Sequence, residues 1–316
     1  MFQITSNELN ALAAQTGFIK NSLEKVLRLI NVLLTLKSNS VTMDAFILKG
    51  GTALNFFVLD FPRLSVDIDL NYIRSISRSG MIRDRKRIAL EIRKMFISDY
   101  RIEITKEAHA LTQFSFYYQT MSGSSDMLKL EVNYLRRLPL LPPRMRSFKR
   151  FEQHADFLCL DDHELFAGKI IALLSRYAPR DLFDVYQMAI SSHPLDRGLL
   201  RPVLLTYGIT ARTSIIDLFQ LKLDLISERD IRNILGPLLR SGLHPSREEL
   251  VSRVENFLTP YLFLTDEEKG SIQNFYNSGH LDMSSLIPQE EIKEKLKISP
   301  YLQWKVQHIK KNLLRK

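Results

Sequence analysis

The first part of the chain places its apolar residues with the period of an α-helix. They recur every three to four positions, and Ser6 or Asn7 can cap the first turn. The spacing is carried by Phe18, Leu23, Val26, Leu27, Ile30, Leu33 and Leu34. The pattern predicts a pair of packing helices over residues 6–38.

A short apolar run at residues 45–48 breaks this helical pattern. The run ends in the segment Lys49–Thr52, which contains two adjacent glycines, and residues 53–59 can start a new helix. The predicted order is therefore strand, glycine turn, helix.

Residues 66–72 alternate polar and apolar side chains with a period of two, which is typical of a β-strand. The period places Asp67, Asp69 and Asn71 on one face of the strand and apolar residues on the other. Two carboxylates on one strand face repel each other, so a cation is their natural partner.

The rest of the chain divides into a mixed part and a helical part. A basic amphipathic helix is predicted over residues 80–98, followed by three strands over 101–106, 111–119 and 127–135. The proline-rich stretch 139–143 and the basic segment 144–150 interrupt the periodicity, which predicts a loop and a boundary near residue 150.

Helical spacing and caps dominate from residue 161 onward. Helices are predicted over 161–176, 180–191, 195–206, 213–221, 228–239, 246–257, 266–278 and 300–314. The whole pattern predicts an α+β protein with a mixed sheet in residues 1–150 and a largely helical domain in residues 151–316.

Composition fits a globular protein with a substantial core. The chain has 316 residues, of which 45% are hydrophobic and 25% charged, which excludes a disordered or fibrous chain. Its 44 Lys and Arg against 35 Asp and Glu give a formal charge of +9. This charge favours a polyanionic partner such as nucleic acid, but taken alone it fits a solubilising surface equally well.

The cellular context follows from cysteine usage and from the hydropathy pattern. Cys159 is the only cysteine, so no internal disulfide can form, and it lies in an apolar run. The N-terminus lacks a basic segment followed by an apolar run, and no uninterrupted apolar stretch of about 18 residues occurs. We expect a cytoplasmic protein with no membrane partner.

The glycine turn is a candidate phosphate site. Gly50 and Gly51 allow main-chain amides to approach a ligand closely, and the helix that follows Thr52 directs its positive end to the same place. A glycine pair alone is also typical of an ordinary strand-to-helix turn. The hypothesis gains weight from Asp67 and Asp69, whose hard oxygen atoms suit Mg²⁺.

Two segments together resemble a known enzyme superfamily. Residues 49–54 read KGGTAL and residues 63–70 read RLSVDIDL. They resemble the nucleotidyltransferases, whose signature is a Gly-Gly or Gly-Ser turn, an Asp-x-Asp strand and a third carboxylate on a later strand. The particular residues are similar to those of the AbiEii/AbiGii toxin-like family, which includes MenT-type relatives. The resemblance implies a polymerase beta-like core.

The resemblance also implies roles for single residues. Asp67 and Asp69 would hold Mg²⁺, or Mn²⁺ in its place, and Glu131 on the strand 127–135 would supply the third carboxylate. Lys49 with the glycine turn and Ser65 would position the phosphates of an NTP substrate.

The predicted helix 161–176 resembles the family's lysine-bearing helix, with Gly168 where a glutamate is common. Lys169 and Arg176 would neutralise charge on the triphosphate, and the following Arg-Asp-x-x-Asp element contains Asp181 and Asp184. Glu131 or Asp181 would assist a second metal ion or accept the proton of the attacking hydroxyl, and the sequence leaves both open.

The family implies the toxin of a bacterial toxin–antitoxin or phage-defence pair. Such an enzyme would add a nucleotide to RNA, at the tRNA acceptor end, block translation, and be opposed by an antitoxin encoded nearby. Two basic clusters could contact RNA phosphates: Arg83, Arg85, Lys86 and Arg87, or Arg144, Arg146, Lys149 and Arg150. Transfer to a protein hydroxyl and a non-catalytic GTP-binding module remain the alternative interpretations.

Overall fold

The structure is a computed structural model that describes residues 4–151 and 153–314, and within it the chain forms two compact units. The first unit contains the described residues up to Arg137, together with 143–160 and 236–244. The second contains residues 138–142, 161–235 and those from Pro245 onward. We call them the sheet unit and the helical unit.

The described residues of the sheet unit form four α-helices and seven strands. They are α1 (Ser6–Thr16), α2 (Lys20–Ser38), β1 (Phe46–Lys49), α3 (Gly50–Phe57), β2 (Asp67–Tyr72), α4 (Arg78–Phe96), β3 (Arg101–Ala108), β4 (Leu111–Gln119), β5 (Ser125–Asn133), β6 (Arg144–Arg150) and β7 (Gln153–Cys159).

The seven strands form one mixed sheet in the order β3-β4-β5-β2-β1-β7-β6. β1 and β2 are antiparallel, whereas β2 pairs with β5 and β1 pairs with β7 in parallel. Placing β1 and β2 at the centre brings the glycine turn, which follows β1, beside the start of the Asp-x-Asp strand.

One face of the sheet is apolar because the alternating residues of its strands point the same way. Ile68 and Leu130 are fully buried on that face. Helix α4 packs there through Phe96, whose ring lies 5.3 Å from that of Phe116 on β4. Helix α2 contributes Arg28, whose guanidinium lies 4.3 Å from the Tyr118 ring. The opposite face keeps the polar side chains of β2 and β5.

The basic segment 144–150 was predicted as a loop, and this prediction is wrong, because it forms the edge strand β6. Each of its seven residues pairs with β7 in antiparallel register. Phe148 is buried while Arg144 and Lys149 are exposed. Charged residues are common on edge strands because they prevent pairing with other chains, and here they hide the strand pattern.

The predicted boundary at residue 150 falls at the end of β6, just before the turn to β7. Both strands of this hairpin belong to the sheet unit, which extends to Leu160. Cys159 is buried at the end of β7, where it is the register partner of Leu48 on β1.

Nine α-helical segments make up most of the described part of the helical unit. They are α5 (Asp162–Arg176), α6 (Pro179–Ile190), α7 (Arg197–Ile209), α8 (Ile215–Leu218), α9 (Glu228–Asp230), α10 (Arg247–Leu262), α11 (Asp266–Ser278), α12 (Glu290–Lys297) and α13 (Pro300–Leu313). Helix α5 packs against α6 and α7, and α6 packs against α10.

The prediction of a single helix over residues 228–239 is wrong. The segment is a three-residue α-turn followed by a π-helical stretch, Ile231–Leu235, and a 3₁₀ turn, Gly236–Leu238. Gly236 and Pro237 oppose a regular helix, since proline lacks the amide donor and glycine is flexible.

The α+β prediction with a mixed sheet and a helical second half is confirmed. No helix among residues 4–151 and 153–314 combines the length and the apolar character needed to cross a membrane. The prediction about the N-terminus rests in part on residues 1–3, which lie outside the described residues.

Candidate active site

Helix α3 follows β1 directly, and the first residue after the strand has to be a glycine. Gly50 has a φ of +70°, a conformation that L side chains rarely adopt. A Cβ atom added there would lie 2.8 Å from Cβ of Asp69 and closer still to one of its carboxylate oxygens. The absence of a side chain at Gly50 therefore lets the turn pass directly over the Asp69 carboxylate.

Hydroxyl groups connect the first turn of α3 to the start of β2. The Thr52 side chain is fully buried, and its hydroxyl lies 3.0 Å from that of Ser65. It also donates a hydrogen bond to the main-chain carbonyl of Asp67. Asn55, one turn later, donates to the carbonyl of Gly51 at 2.9 Å. These bonds fix the helix start relative to the Asp-x-Asp strand.

The strand register places the three predicted carboxylates on one face. Asp69 of β2 is the direct register partner of Glu131 on the parallel strand β5, and Asp67 is the partner of Lys129. Neighbouring strands lie about 4.8 Å apart, so Asp69 and Glu131 begin from adjacent main-chain positions. Asp67 lies two residues earlier on the same face of β2.

Lys49 supplies positive charge on the other side of Asp69. The two residues are register partners across β1 and β2, and Lys49 Nζ lies 4.0 Å from Asp69 Oδ1. Their side chains are 21% and 25% exposed, so both are accessible to a ligand.

The donor set fits a divalent cation of the Mg²⁺ type. Hard carboxylate oxygens line one strand face, and the main chain of the glycine turn lies directly against Asp69. Within the described residues, no three carboxylate, imidazole or thiolate groups already converge on one point. Mg²⁺ is commonly held by one or two carboxylates, with water and substrate phosphates completing its coordination. Asp67 and Asp69 match that requirement.

The four site residues predicted in the helical unit form an ionic cluster in which Lys169, Asp181 and Asp184 are buried. Lys169 Nζ lies 2.9 Å from Asp181 Oδ1 and 2.8 Å from Asp184 Oδ2. Arg176 donates two hydrogen bonds to Asp181, at 2.6 Å from Nε and 3.0 Å from Nη2. The lysine bridges α5 to α6 because its two acidic partners are spaced three residues apart on one face of α6.

The two cations of the cluster differ in how far their side chains are exposed to solvent. The Lys169 side chain is 7% exposed, whereas that of Arg176 is 62% exposed. Burial alone would raise the pKa of the Asp181 carboxyl, but the Lys169 charge and the Arg176 hydrogen bond hold it well below its usual range. Asp181 is therefore a fixed anion within the helical unit.

Sequence reasoning did not assign a role to Glu164, which the structure shows to be a buried connection. Its carboxylate accepts hydrogen bonds from the main-chain amide of Leu141 at 3.0 Å and from the Tyr207 hydroxyl at 2.9 Å. The acidic start of α5 in the sequence could have identified it, because a run of acidic residues before a buried helix needs partners inside the protein.

The structure thus brings the predicted residues together in two groups. The sheet unit contains the first group: Lys49, Gly50, Gly51, Thr52, Ser65, Asp67, Asp69 and Glu131. The helical unit contains the second: Lys169, Arg176, Asp181 and Asp184. Their assignment to metal, phosphate or proton transfer remains a prediction.

Comparison with known proteins identifies the family. The family model described as "Nucleotidyl transferase AbiEii toxin, Type IV TA system" matches residues 32–253, which is more than half of the chain. A comparison with curated proteins gave no match.

Among solved structures, the chain is similar to MenT4, a nucleotidyltransferase toxin from Mycobacterium tuberculosis. The TM-score is 0.64 at 17% sequence identity, covering 94% of this chain and 99% of that chain. JHP933 from Helicobacter pylori matches with a TM-score of 0.48 at 18% identity, covering 82% of this chain and 99% of that chain. At this identity the MenT4 likeness shows a shared fold, and it agrees with the family match. The chain is therefore a nucleotidyltransferase and a member of the AbiEii toxin family.

Proposed function

We propose that the enzyme transfers a nucleotide from an NTP to the acceptor end of tRNA and thereby blocks translation. The observation that carries the proposal is the position of Asp69, which lies beneath the Gly50 turn, opposite Glu131 and beside Lys49. Nucleotidyltransferases use an NTP and a divalent metal ion, and this arrangement offers groups for both.

Mg²⁺ is the metal that we propose, with Asp67 and Asp69 as ligands; Glu131 would contribute one carboxylate oxygen as a third ligand and keep the other to accept a proton. When bound, the metal ion would neutralise charge on the triphosphate and polarise the phosphorus–oxygen bonds. The main-chain amides of Gly51 and Thr52 at the start of α3 would hold phosphate oxygens, since a helix N-terminus attracts anions. Lys49 would compensate part of the remaining negative charge.

Of the two carboxylates that the sequence left open as the proton acceptor, Glu131 is favoured. The Asp181 side chain is 1% exposed, both of its oxygens are bonded to cations, and its pKa is lowered. A carboxylate stabilised as an anion in this way is a weak base. Glu131 is partly exposed and adjoins Asp69 in register, where the attacking hydroxyl would have to lie.

In the helical unit, we propose that Arg176 is the cation that meets the triphosphate. Its side chain is largely exposed, so its charge is accessible, whereas Lys169 is enclosed by carboxylates. Lys169 would then act as a positioning residue that fixes Asp181, which in turn holds the Arg176 guanidinium.

RNA is the proposed acceptor because the chain has a formal charge of +9 and nucleic acid is the polyanion that such a surface attracts. The AbiEii family consists of toxins of type IV toxin–antitoxin systems. We therefore also propose that a cognate antitoxin protein opposes this enzyme.

The test is incubation of the purified protein with bulk tRNA, Mg²⁺ and each α-labelled NTP in turn. We expect label on tRNA with one or two of the NTPs, and a loss of at least about a hundredfold for Asp69→Asn and Glu131→Gln. Glu103→Gln is the matched control, because Glu103 is an exposed carboxylate on the edge strand β3. It should label tRNA at the wild-type rate.

Other outcomes separate the alternatives. Label on a protein band in place of RNA would show transfer to a protein hydroxyl. Tight GTP binding without pyrophosphate release would indicate a non-catalytic module, and either result would overturn the RNA proposal.

A further inference from the structure

A cavity of about 510 Å³ lies in the sheet unit, away from the glycine turn. Three cations line it: Lys149 and Arg150 at the end of β6, and Arg240 from the segment 236–244. Among the described residues that line it there is no Asp or Glu. The cavity is therefore a concave and positively charged feature that the catalytic chemistry does not use.

Aromatic rings hold the two guanidinium groups in place. The Arg150 guanidinium lies 5.2 Å from the centre of the Phe61 ring, and that of Arg240 lies 5.3 Å from the Phe18 ring. Arg240 also donates a hydrogen bond to the main-chain carbonyl of Phe61 at 3.2 Å. Arg150 contacts Asp60 as an ion pair at the surface. Stacked guanidinium groups lose little freedom when they bind an anion, so the cavity is preorganised.

The backbone around the cavity adopts conformations that side chains rarely tolerate. Four non-glycine residues among those described have a positive φ, and three of them are here: Asp60 at 56°, Phe61 at 63° and Phe151 at 53°. The rings of Phe61 and Phe151 contact each other at 5.6 Å. Such conformations persist only where the surroundings impose them, and they concentrate at ligand clamps and functional sites.

The strand register gives the position of the cavity relative to the glycine turn. Arg144 at the start of β6 pairs with Cys159, which pairs with Leu48, next to Lys49. Arg150 lies six residues further along β6. At about 3.3 Å per residue, this is roughly 20 Å from the end of the sheet at which β1 leads into the glycine turn. Arg144 and Arg146 lie on β6 between the two.

We propose that this cavity binds backbone phosphates of the acceptor RNA while the reacting end of the RNA lies beside Asp69 and Glu131. The inference rests on the proposed function and adds a second contact with the same substrate. Guanidinium groups bind phosphate oxygens with two parallel hydrogen bonds, and the basic edge strand offers further phosphate contacts between the two sites. The cavity is too far from Asp69 to hold the triphosphate of the NTP.

The test compares two double variants of the full-length protein. Lys149→Ala with Arg240→Ala removes two cations from the cavity and touches no catalytic residue. Arg93→Ala with Lys94→Ala removes the same charge from exposed positions on α4 and is the matched control. For each protein we would measure kcat, KM for tRNA, KM for the NTP, and the salt dependence of tRNA binding without NTP. Circular dichroism and thermal unfolding would verify that each variant is folded.

For the cavity variant we expect KM for tRNA to rise at least tenfold, with kcat at saturating tRNA and KM for the NTP unchanged. The slope of log Kd against log salt concentration should fall by about 1.5 to 2, as expected for two lost phosphate contacts. The α4 variant should change KM for tRNA less than threefold.

Four results would contradict the inference. If the wild type labels tRNA and the cavity variant keeps its KM for tRNA, the inference alone is overturned. The same holds if both double variants weaken tRNA binding equally, or if the cavity variant loses only antitoxin binding. A wild type that neither labels nor binds RNA would overturn the proposed function and the inference together.

Discussion

Gly50 shows how much a single residue determines at this site. Its positive φ and its contact with Asp69 are separate requirements, because the first concerns backbone strain and the second concerns space for a side chain. A second glycine of the sheet unit, Gly123, has a φ of +83° but open space around its Cβ position. The pair therefore allows the two effects to be separated.

We expect Gly50→Ala to abolish nucleotide transfer and to destabilise the protein by more than Gly123→Ala. Both variants should show the strain of a left-handed alanine, about 1–2 kcal/mol. Only Gly50→Ala also displaces the Asp69 carboxylate. The measurement is urea denaturation together with transfer activity. Equal activity of the two variants would refute the role of the Gly50 turn.

Asp181 gives a prediction about pH. Its pKa is lowered in the folded protein, so the stability that it contributes is fully present above its unfolded pKa, near 4. That contribution is lost as the pH falls from about 4 towards the lower folded pKa. At pH 7, Asp181→Asn leaves Lys169 buried with one carboxylate fewer, and breaking a buried pair typically costs about 3–5 kcal/mol.

We therefore expect Asp181→Asn to unfold at a lower urea concentration at pH 7, and the difference from the wild type to shrink below pH 4. Asp266→Asn, at a fully exposed position on α11, is the control and should follow the wild type throughout. A constant difference between Asp181→Asn and the wild type from pH 7 to pH 3 would contradict the assigned ionisation.

At the scale of secondary structure, the helices and strands whose apolar residues recur at one clear spacing could be predicted from the sequence. The strand β4 and the helix α11 have the predicted bounds, since β4 is rich in aromatic residues that alternate over most of its length and α11 begins with a capping box at Thr265 and Glu268. The hairpin β6–β7 could not be predicted, because basic residues on an edge strand hide the alternation. Helix α12 was also missed, since its eight residues bury only Ile292 and Leu296.

The helix α5 carries a glycine where the family commonly has a glutamate. A Cβ atom at Gly168 would lie 3.4 Å from Cε1 of Tyr207, which is ordinary van der Waals contact. A methyl group therefore fits there, whereas a longer side chain would meet the Tyr207 ring. Packing between α5 and α7 therefore limits the size of the side chain at this position.

We expect Gly168→Ala to stabilise the protein by about 0.5–1 kcal/mol, because alanine favours a helix interior over glycine. Gly270→Ala in α11 is the matched control, since a Cβ atom there meets nothing within 4 Å. Thermal and urea unfolding would measure both. A destabilised Gly168→Ala beside a stabilised Gly270→Ala would show that the contact with Tyr207 is tighter than its distance indicates.

At the scale of the whole molecule, the sequence predicted two parts with different chemistry, and the structure has two compact units. The site residues of the sheet unit could be predicted because the glycine turn and the Asp-x-Asp strand are local patterns. The partners of Lys169 depend on how α5 and α6 pack, and the cavity joins residues as distant in the sequence as Leu12 and Arg240. Neither follows from local spacing.

The proposed function requires metal-dependent nucleotide transfer at Asp67 and at Asp69, the carboxylate beneath the Gly50 turn. The most direct measurement is the rate of pyrophosphate release with tRNA, an NTP and increasing Mg²⁺, for the wild type, Asp67→Asn, Asp69→Asn and Glu103→Gln. We expect saturable Mg²⁺ dependence for the wild type and Glu103→Gln, and rates at least about a hundredfold lower for the other two at every Mg²⁺ concentration. Wild-type rates in Asp67→Asn and Asp69→Asn, in folded protein, would contradict the claim.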